Sequence, residues 1–138
     1  MAEITDSVRQ FLQEKHFAVL ATIARDGTPH QTTMWYELRG ESIMMNTRHG
    51  RVKEHHLRHD ARCSVCVSNG YRFVTIEGVA TLDDNPVTAQ ADIRDLAIRY
   101  HGQERGEQQA REAFATQQRI SIYVPIHRLI PYGLDEGA

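Results

Sequence analysis

The sequence predicts a mainly β, α+β fold of about six antiparallel strands with peripheral helices. Three observations carry this. Short apolar and β-branched runs recur along the chain, turn-forming pairs such as Asp26-Gly27 and Asn69-Gly70 punctuate them, and helical spacing is confined to a few segments. At 138 residues, with 41% hydrophobic and 25% charged residues, the chain is sized for one compact domain with a core of its own.

Residues 5 to 15 place Val8, Phe11 and Leu12 at helical spacing, and Thr5 or Asp6 can cap the free N–H groups at the start. FAVLATI (17 to 23) is an apolar run followed by RDGTP, where Gly tolerates positive φ and Pro fixes its own, so strand, turn and strand are expected. The second strand spans 30 to 38 and the third 42 to 47, giving a meander across Arg39-Gly40-Glu41. A helix should run from about Gly50 to Asp60. Strands 62 to 68 and 71 to 82 flank Asn69-Gly70, the strongest hairpin signal in the chain. Residues 87 to 117 read as two helices broken near His101-Gly102, mostly solvated cover, after an Asn85-Pro86 start. The run 119 to 133 alternates Ile120, Ile122 and Val124 and contains Pro125, as suits a strand at a barrel edge. No internal repeat or low-complexity segment is evident.

Composition excludes several classes. No stretch approaches the roughly 20 apolar residues of a membrane helix, and the polar N-terminus does not read as a secretory signal, so a cytoplasmic location is expected. Cys63 and Cys66 lie three apart on a predicted strand and face opposite ways, which argues for two separate thiols rather than a redox pair. A net charge of −2 gives no reason to expect nucleic acid or membrane binding. Against that balance, Arg48, Arg51, Lys53, Arg58 and Arg62 face only Glu54 and Asp60 in one stretch, with His49, His55, His56 and His59 interleaved.

That stretch is where chemistry is expected. A strand feeding Gly50 and then a basic helix start has what a phosphate site requires: free backbone N–H groups, a favourable helix dipole, and Arg51 and Lys53 at hand. Spacing alone equally allows a solvated helix whose charges serve solubility. His55 and His59 share a helix face with His56, His49 and Glu54 near, yet no further ligands stand at a recognisable spacing and a basic helix repels a cation; no metal is expected.

The order FAVLATI-RDGTP-HQTTMWYEL, SIMMNT-RHGRVKEHHLRHDAR-CSVCVS and YRFVTIEGVATL resembles the pyridoxamine 5'-phosphate oxidase-like split β-barrel superfamily over most of the chain. More narrowly, Gly50, Arg51, Lys53, Leu57, Arg58, Asp60 and Arg62 are similar to a motif of F420-dependent oxidoreductases, the flavin/deazaflavin oxidoreductase B branch, with His56 and Ala61 where that pattern has Asn and Pro. The resemblance implies an FMN-binding split barrel, a homodimer, and F420 or alternatively FMN as cofactor. It implies that Arg51 and Lys53 hold the cofactor phosphate, that Thr33, Met34 and Trp35 line the ring system, and that Asn46, Thr47, Arg48 and His49 line the ribityl-phosphate side. Tyr71, Phe73 or Arg119 would reach across from the second subunit. Trp35 could equally be a core or interface aromatic.

Three functions follow as expectations. One is hydride transfer from reduced F420 to an electron-poor small molecule such as a conjugated alkene, quinone, nitro compound or tetrapyrrole. The second is an FMN protein, oxidase-like or a flavin carrier. The third is a cofactor-binding module without turnover. A cationic run through Arg48, Arg51, Lys53 and Arg58, longer than one phosphate needs, favours the polyanionic tail of F420. The cofactor carries the hydride chemistry, so no triad is required. No acid or base stands out, and His127 and Tyr132 read more readily as structural than as proton donors.

Overall fold

The computed structural model describes residues 3–134. After helix α1 (Asp6–Gln13), the chain forms strands β1 (Ala18–Ile23), β2 (Pro29–Met34), β3 (Glu37–Arg39) and β4 (Ser42–Arg48), then helix α2 (Val52–His59). Strands β5 (Arg62–Asn69), β6 (Arg72–Val79) and β7 (Thr81–Asp83) precede helices α3 (Pro86–His101) and α4 (Gln103–Gln109), a π-helical turn (Ala110–Phe114), and strands β8 (Arg119–Pro125) and β9 (Arg128–Tyr132). All pairings are antiparallel, in one sheet of order β2-β1-β5-β6-β9 and another of order β3-β4-β8-β7. This is the split-barrel, α+β architecture that the sequence predicts.

Three of the six predicted strands each break in two, because the chain changes sheet in mid-run. Between β2 and β3, Tyr36 leaves the ladder: its N–H donates to the Tyr100 hydroxyl at 3.1 Å and its carbonyl accepts from Arg99 Nε at 2.9 Å. Between β6 and β7, the Ala80 N–H donates to Ala61 O at 2.8 Å. After β8, the Ile126 N–H bonds Glu41 O and the next residue's N–H bonds Glu77 O, so consecutive residues belong to different sheets. Gly78 permits this last crossing. A Cβ there would lie 2.4 Å from Pro125 O, so no side chain fits between the sheets.

The barrel core packs Leu20, Ile43, Met45, Val65, Ile76 and Ile122 from both sheets, closed at one end by Val8, Phe11 and Leu12 of α1. Thr5 caps that helix, its Oγ1 accepting from Val8 N. Helix α3 is more than the solvated cover expected. Capped by Asn85, it buries Ala89, Asp92, Ile93, Leu96, Ala97 and Tyr100, and a second cluster joins Met44 of β4 to Ile93, Leu96 and Tyr100. Sequence periodicity hides this because α3 presents a polar residue, Asp92, on its buried side. Gly102, at φ 91°, breaks it from α4 where the sequence predicts.

Successive β4 side chains face opposite ways. Ile43 and Met45 enter the barrel, and Thr47, 4% exposed, shares their parity; Met44, Asn46 and Arg48 face α3. On β8 the same parity places Arg119, Ser121 and Tyr123 on the α3 side, with Arg119 directly opposite Arg48 and Ser121 opposite Asn46.

Candidate functional site

Gly50, at φ 91°, turns the chain out of β4 into α2. Its N–H donates to Glu54 Oε1 at 2.7 Å, Arg58 Nε donates to Glu54 Oε2 at 2.9 Å, and His49 Nδ1 stands 3.0 Å from Oε1. Glu54 is 1% exposed. Burial pulls its pKa up, but the Gly50 N–H, Arg58 and His49 together hold it below the usual carboxylate value. The turn is thus tied from inside by one carboxylate. Sequence reasoning treated Glu54 as a stray acid in a basic run; only its position four residues after Gly50 and four before Arg58 hinted at this role.

The opposite side of the turn has no such counter-charge. Arg48, Arg51, Lys53 and Arg119 make no ion pair among the described residues. Burial lowers the Lys53 pKa, and Arg51 and Arg119 lower it further. Burial, then Arg51 and Arg48, push Arg119 down to about 10. Arg51 thus acts on both Lys53 and Arg119, and Arg48 stands opposite Arg119 in the β4–β8 ladder. Arg51 caps α2 without a side-chain bond, and the N–H groups of Val52 and Lys53 find no acceptor among the described residues. The start of α2 thus brings free helix N–H groups beside Arg51 and Lys53, with no carboxylate partner among the described residues.

Beside them a cavity of about 210 Å³ is walled by Thr33, Met34, Trp35, Asn46, Phe114 and Arg119, with Ile93 and Leu96 of α3 as its apolar floor. Trp35 stacks on Tyr100 at 5.2 Å and 9° and meets the Phe114 ring edge-on. Arg119 lies 4.9 Å over Phe114 and donates from Nε to Asn46 Oδ1 at 2.9 Å. On the edge strand β2, Thr32 keeps a buried hydroxyl with no partner among the described residues. A depression of about 800 Å³ over α4, from His101 to Ala113, is larger but mixes charges of both signs. Chemistry, not volume, locates the site.

The residues singled out from sequence thus divide. Thr33, Met34, Trp35 and Asn46 meet in the cavity with Arg119, which joins it from its own chain rather than having to reach across from a second one. Arg48, Arg51 and Lys53 do not line it; Arg48 and Arg51 act on Arg119, and Arg51 and Arg119 act on Lys53. Thr47 turns into the barrel, and His49 turns to Glu54. Arg58, counted in the cationic run, does not join it: it pairs with Glu54 and lies 3.7 Å from Asp84. Tyr71 is 90% exposed, and Phe73 stacks on Tyr132 at 5.1 Å. Phe73 stands three strand spacings from β2, about 14 Å, so neither aromatic reaches the cavity of its own chain.

The histidines of α2 do not assemble a metal centre among the described residues. His56 bonds Thr22 through Nδ1 at 2.9 Å and meets His30 edge-on, whereas His55 and His59 are exposed. Cys63 is buried, its thiol pushed up to about 11 by burial, and Cys66, on the other face of β5, is half-buried. No helix among the described residues is long and apolar enough to cross a membrane.

Fold and site together define a split β-barrel protein with an unneutralised cationic cleft beside an aromatic cavity. The chain belongs to the pyridoxamine 5'-phosphate oxidase family, which matches residues 4–121. Among solved structures it is similar to the conserved hypothetical protein Rv2991 from Mycobacterium tuberculosis, at 27% identity and a TM-score of 0.81, covering 96% of this chain and 84% of that one. It is also similar to a protein described as F420 reductase, at 22% identity and a TM-score of 0.73, covering 94% and 98%. A third likeness is to HutZ, the haem storage protein of Vibrio cholerae, at 14% identity and a TM-score of 0.70, covering 96% and 97%. No curated protein matches the chain.

Proposed function

We propose that the protein is an F420-dependent oxidoreductase that works as a cytoplasmic homodimer and reduces an electron-poor small molecule. The observation that carries this reading is the cluster of Arg48, Arg51, Lys53 and Arg119, with Arg48 opposite Arg119 on neighbouring strands and no carboxylate partner among the described residues. Lys53 and Arg119 are half-buried and crowded by the exposed Arg48 and Arg51, an arrangement that is costly unless an anion joins it, and four cations exceed what one phosphate needs. When bound, reduced F420 supplies the hydride. Arg51, Lys53 and the N–H groups of Val52 and Lys53 hold its phosphate, Arg48 and Arg119 extend the charge toward its acidic tail, and Thr33, Met34 and Trp35 face the ring. The likeness to the F420 reductase supports the same choice.

The second subunit is inferred from size and surface. A cavity of about 210 Å³ falls short of the roughly 300–1,000 Å³ typical of a cofactor site, so another surface must complete it. The outer face of the larger sheet offers one: Val79, Ile130, Tyr132 and Tyr71 are exposed there, beside an apolar trough of about 440 Å³ that includes Ala21, Ile23 and Pro29. Tyr71 and Phe73 then contribute to the partner's cavity.

FMN is the second reading, since its single phosphate would draw on the same cluster. Absorbance of the purified protein, followed by separate fluorescence titrations with oxidised F420 and FMN, decides between them. Micromolar or tighter F420 binding with much weaker FMN binding is expected, followed by F420H2 oxidation with quinones, nitro compounds or conjugated alkenes. The reverse preference moves the protein to FMN, binding without turnover makes it a carrier, and binding of neither contradicts the proposal.

A further inference from the structure

Asn46 sits at the cavity, yet its amide is already fully engaged. It is 6% exposed; Oδ1 accepts from Arg119 Nε at 2.9 Å, while Nδ2 donates to Ala89 O at 2.9 Å and to Ser121 Oγ at 3.3 Å. The chain of bonds continues. Ser121 donates from Oγ to Asp92 Oδ2 at 2.6 Å, Tyr123 donates to the same oxygen, and Asp92 Oδ1 accepts from Arg39 Nη1 at 2.7 Å. Arg119 is further held by Gln117, which accepts from Nη1 at 2.8 Å, and by the Phe114 ring. Neither of these partners is charged.

We infer that Asn46 is a positioning residue that acts through Arg119 and makes no contact of its own with the bound anion. The geometry follows from the donor inventory. An amide is the side chain of this size that can accept from a guanidinium with one atom and donate to a backbone carbonyl with the other. It fixes Nε without cancelling the charge, whereas a carboxylate in the same place would neutralise Arg119. With Nε and one Nη1 hydrogen engaged, three N–H donors remain for an anion. Ser121 and Asp92 anchor the amide from behind, so α3 sets the orientation of a cation across the second sheet.

This inference rests on the proposed anionic-cofactor site, and its test separates the two. Asn46→Ala, Arg119→Gln and the double variant are titrated with F420 and with its dephosphorylated form lacking the phosphate and tail, and likewise with FMN and riboflavin, alongside thermal unfolding. Asn46→Ala should weaken the phosphorylated cofactor about tenfold and leave the dephosphorylated one unchanged. It should cost nothing further once Arg119 is replaced. Losses that add in full in the double variant, or fall equally on both forms, overturn the inference. Should Asn46→Ala fail to fold, Asn46→Asp keeps the shape and should lose the phosphorylated cofactor while remaining folded; unchanged affinity overturns the inference. If the wild type binds neither cofactor, the function proposed above fails. Pyrophosphate then serves as the probe: the same non-additive pattern upholds the Asn46–Arg119 coupling, and no binding by the wild type overturns it.

Discussion

Arg39 and Arg119 are two half-buried arginines at opposite ends of one hydrogen-bonded chain, and they are treated oppositely. Arg39 is met by Glu37, Asp92 and Asp95 at 2.6 to 2.9 Å, and these hydrogen bonds and charges raise its pKa against the opposing effect of burial. Among the described residues Arg119 is met only by two amides and a ring, and burial with Arg51 and Arg48 pushes it down to about 10. Asp92 and Ser121 connect the two ends. The fold can supply carboxylates to a cation on this sheet, and at the Arg119 end it does not. On the proposed reading, the Arg39 cation is neutralised where it stands, while the Arg119 cation is oriented and left for a ligand.

The largest effect should come from breaking the shared anchor. Asp92→Ala removes an acceptor from Arg39, Ser121 and Tyr123 at once, and urea unfolding should show a loss of about 3–5 kcal/mol; a loss below about 1 kcal/mol would mean that the Arg39 end is not held as described. Next, Lys53→Ala should weaken the anionic cofactor by about 2 kcal/mol, roughly thirtyfold, in fluorescence titration. Unchanged affinity removes Lys53 from the site.

Smaller effects sharpen the contrast around α2. The folded-state pKa of Glu54 lies below its model-compound value of 4.5, so its stabilisation is present above that pH and is lost as pH falls through the folded value. Glu54→Gln should cost about 1–2 kcal/mol at pH 7 and flatten the acid limb of stability measured from pH 7 to pH 3. An equally steep acid limb in the variant would place the titration elsewhere. Arg58→Gln breaks a pair whose arginine is 46% exposed and should cost only about 0.3–0.5 kcal/mol. Its cofactor affinity should equal that of the wild type; a loss comparable to that of Lys53→Ala would return Arg58 to the cationic run.

The elements that local signals define were legible in the sequence. Asn69-Gly70 announced its hairpin, Thr5 and Asn85 announced their helices, and Gly50 announced the turn from β4 into α2. What was hidden depends on contacts far apart in the chain. The break at Tyr36 is made by Arg99 and Tyr100 of α3, and the one at Ala80 by Ala61. Asn46 meets Arg119 across 73 positions, and the register of β4 with β8 that opposes Arg48 to Arg119 leaves no mark on either segment read alone. Glu54 was counted only as one of two acids in the basic stretch. Net charge along a stretch cannot tell which cations an acid neutralises, and three-dimensional placement gives it Arg58.

The most direct test of an unneutralised, ligand-directed cluster is thermal unfolding of wild type and Lys53→Met, each without ligand and with saturating F420 or FMN, whichever binds the wild type more tightly. Without ligand, removing one crowded cation should raise Tm by about 2–4 °C. At a ligand concentration of about 100 Kd the wild type should gain about 2.7 kcal/mol, and a variant that binds roughly thirtyfold more weakly only about 0.9 kcal/mol, reversing the order. A wild type that is already the more stable without ligand, or whose Tm neither ligand moves, would contradict the account.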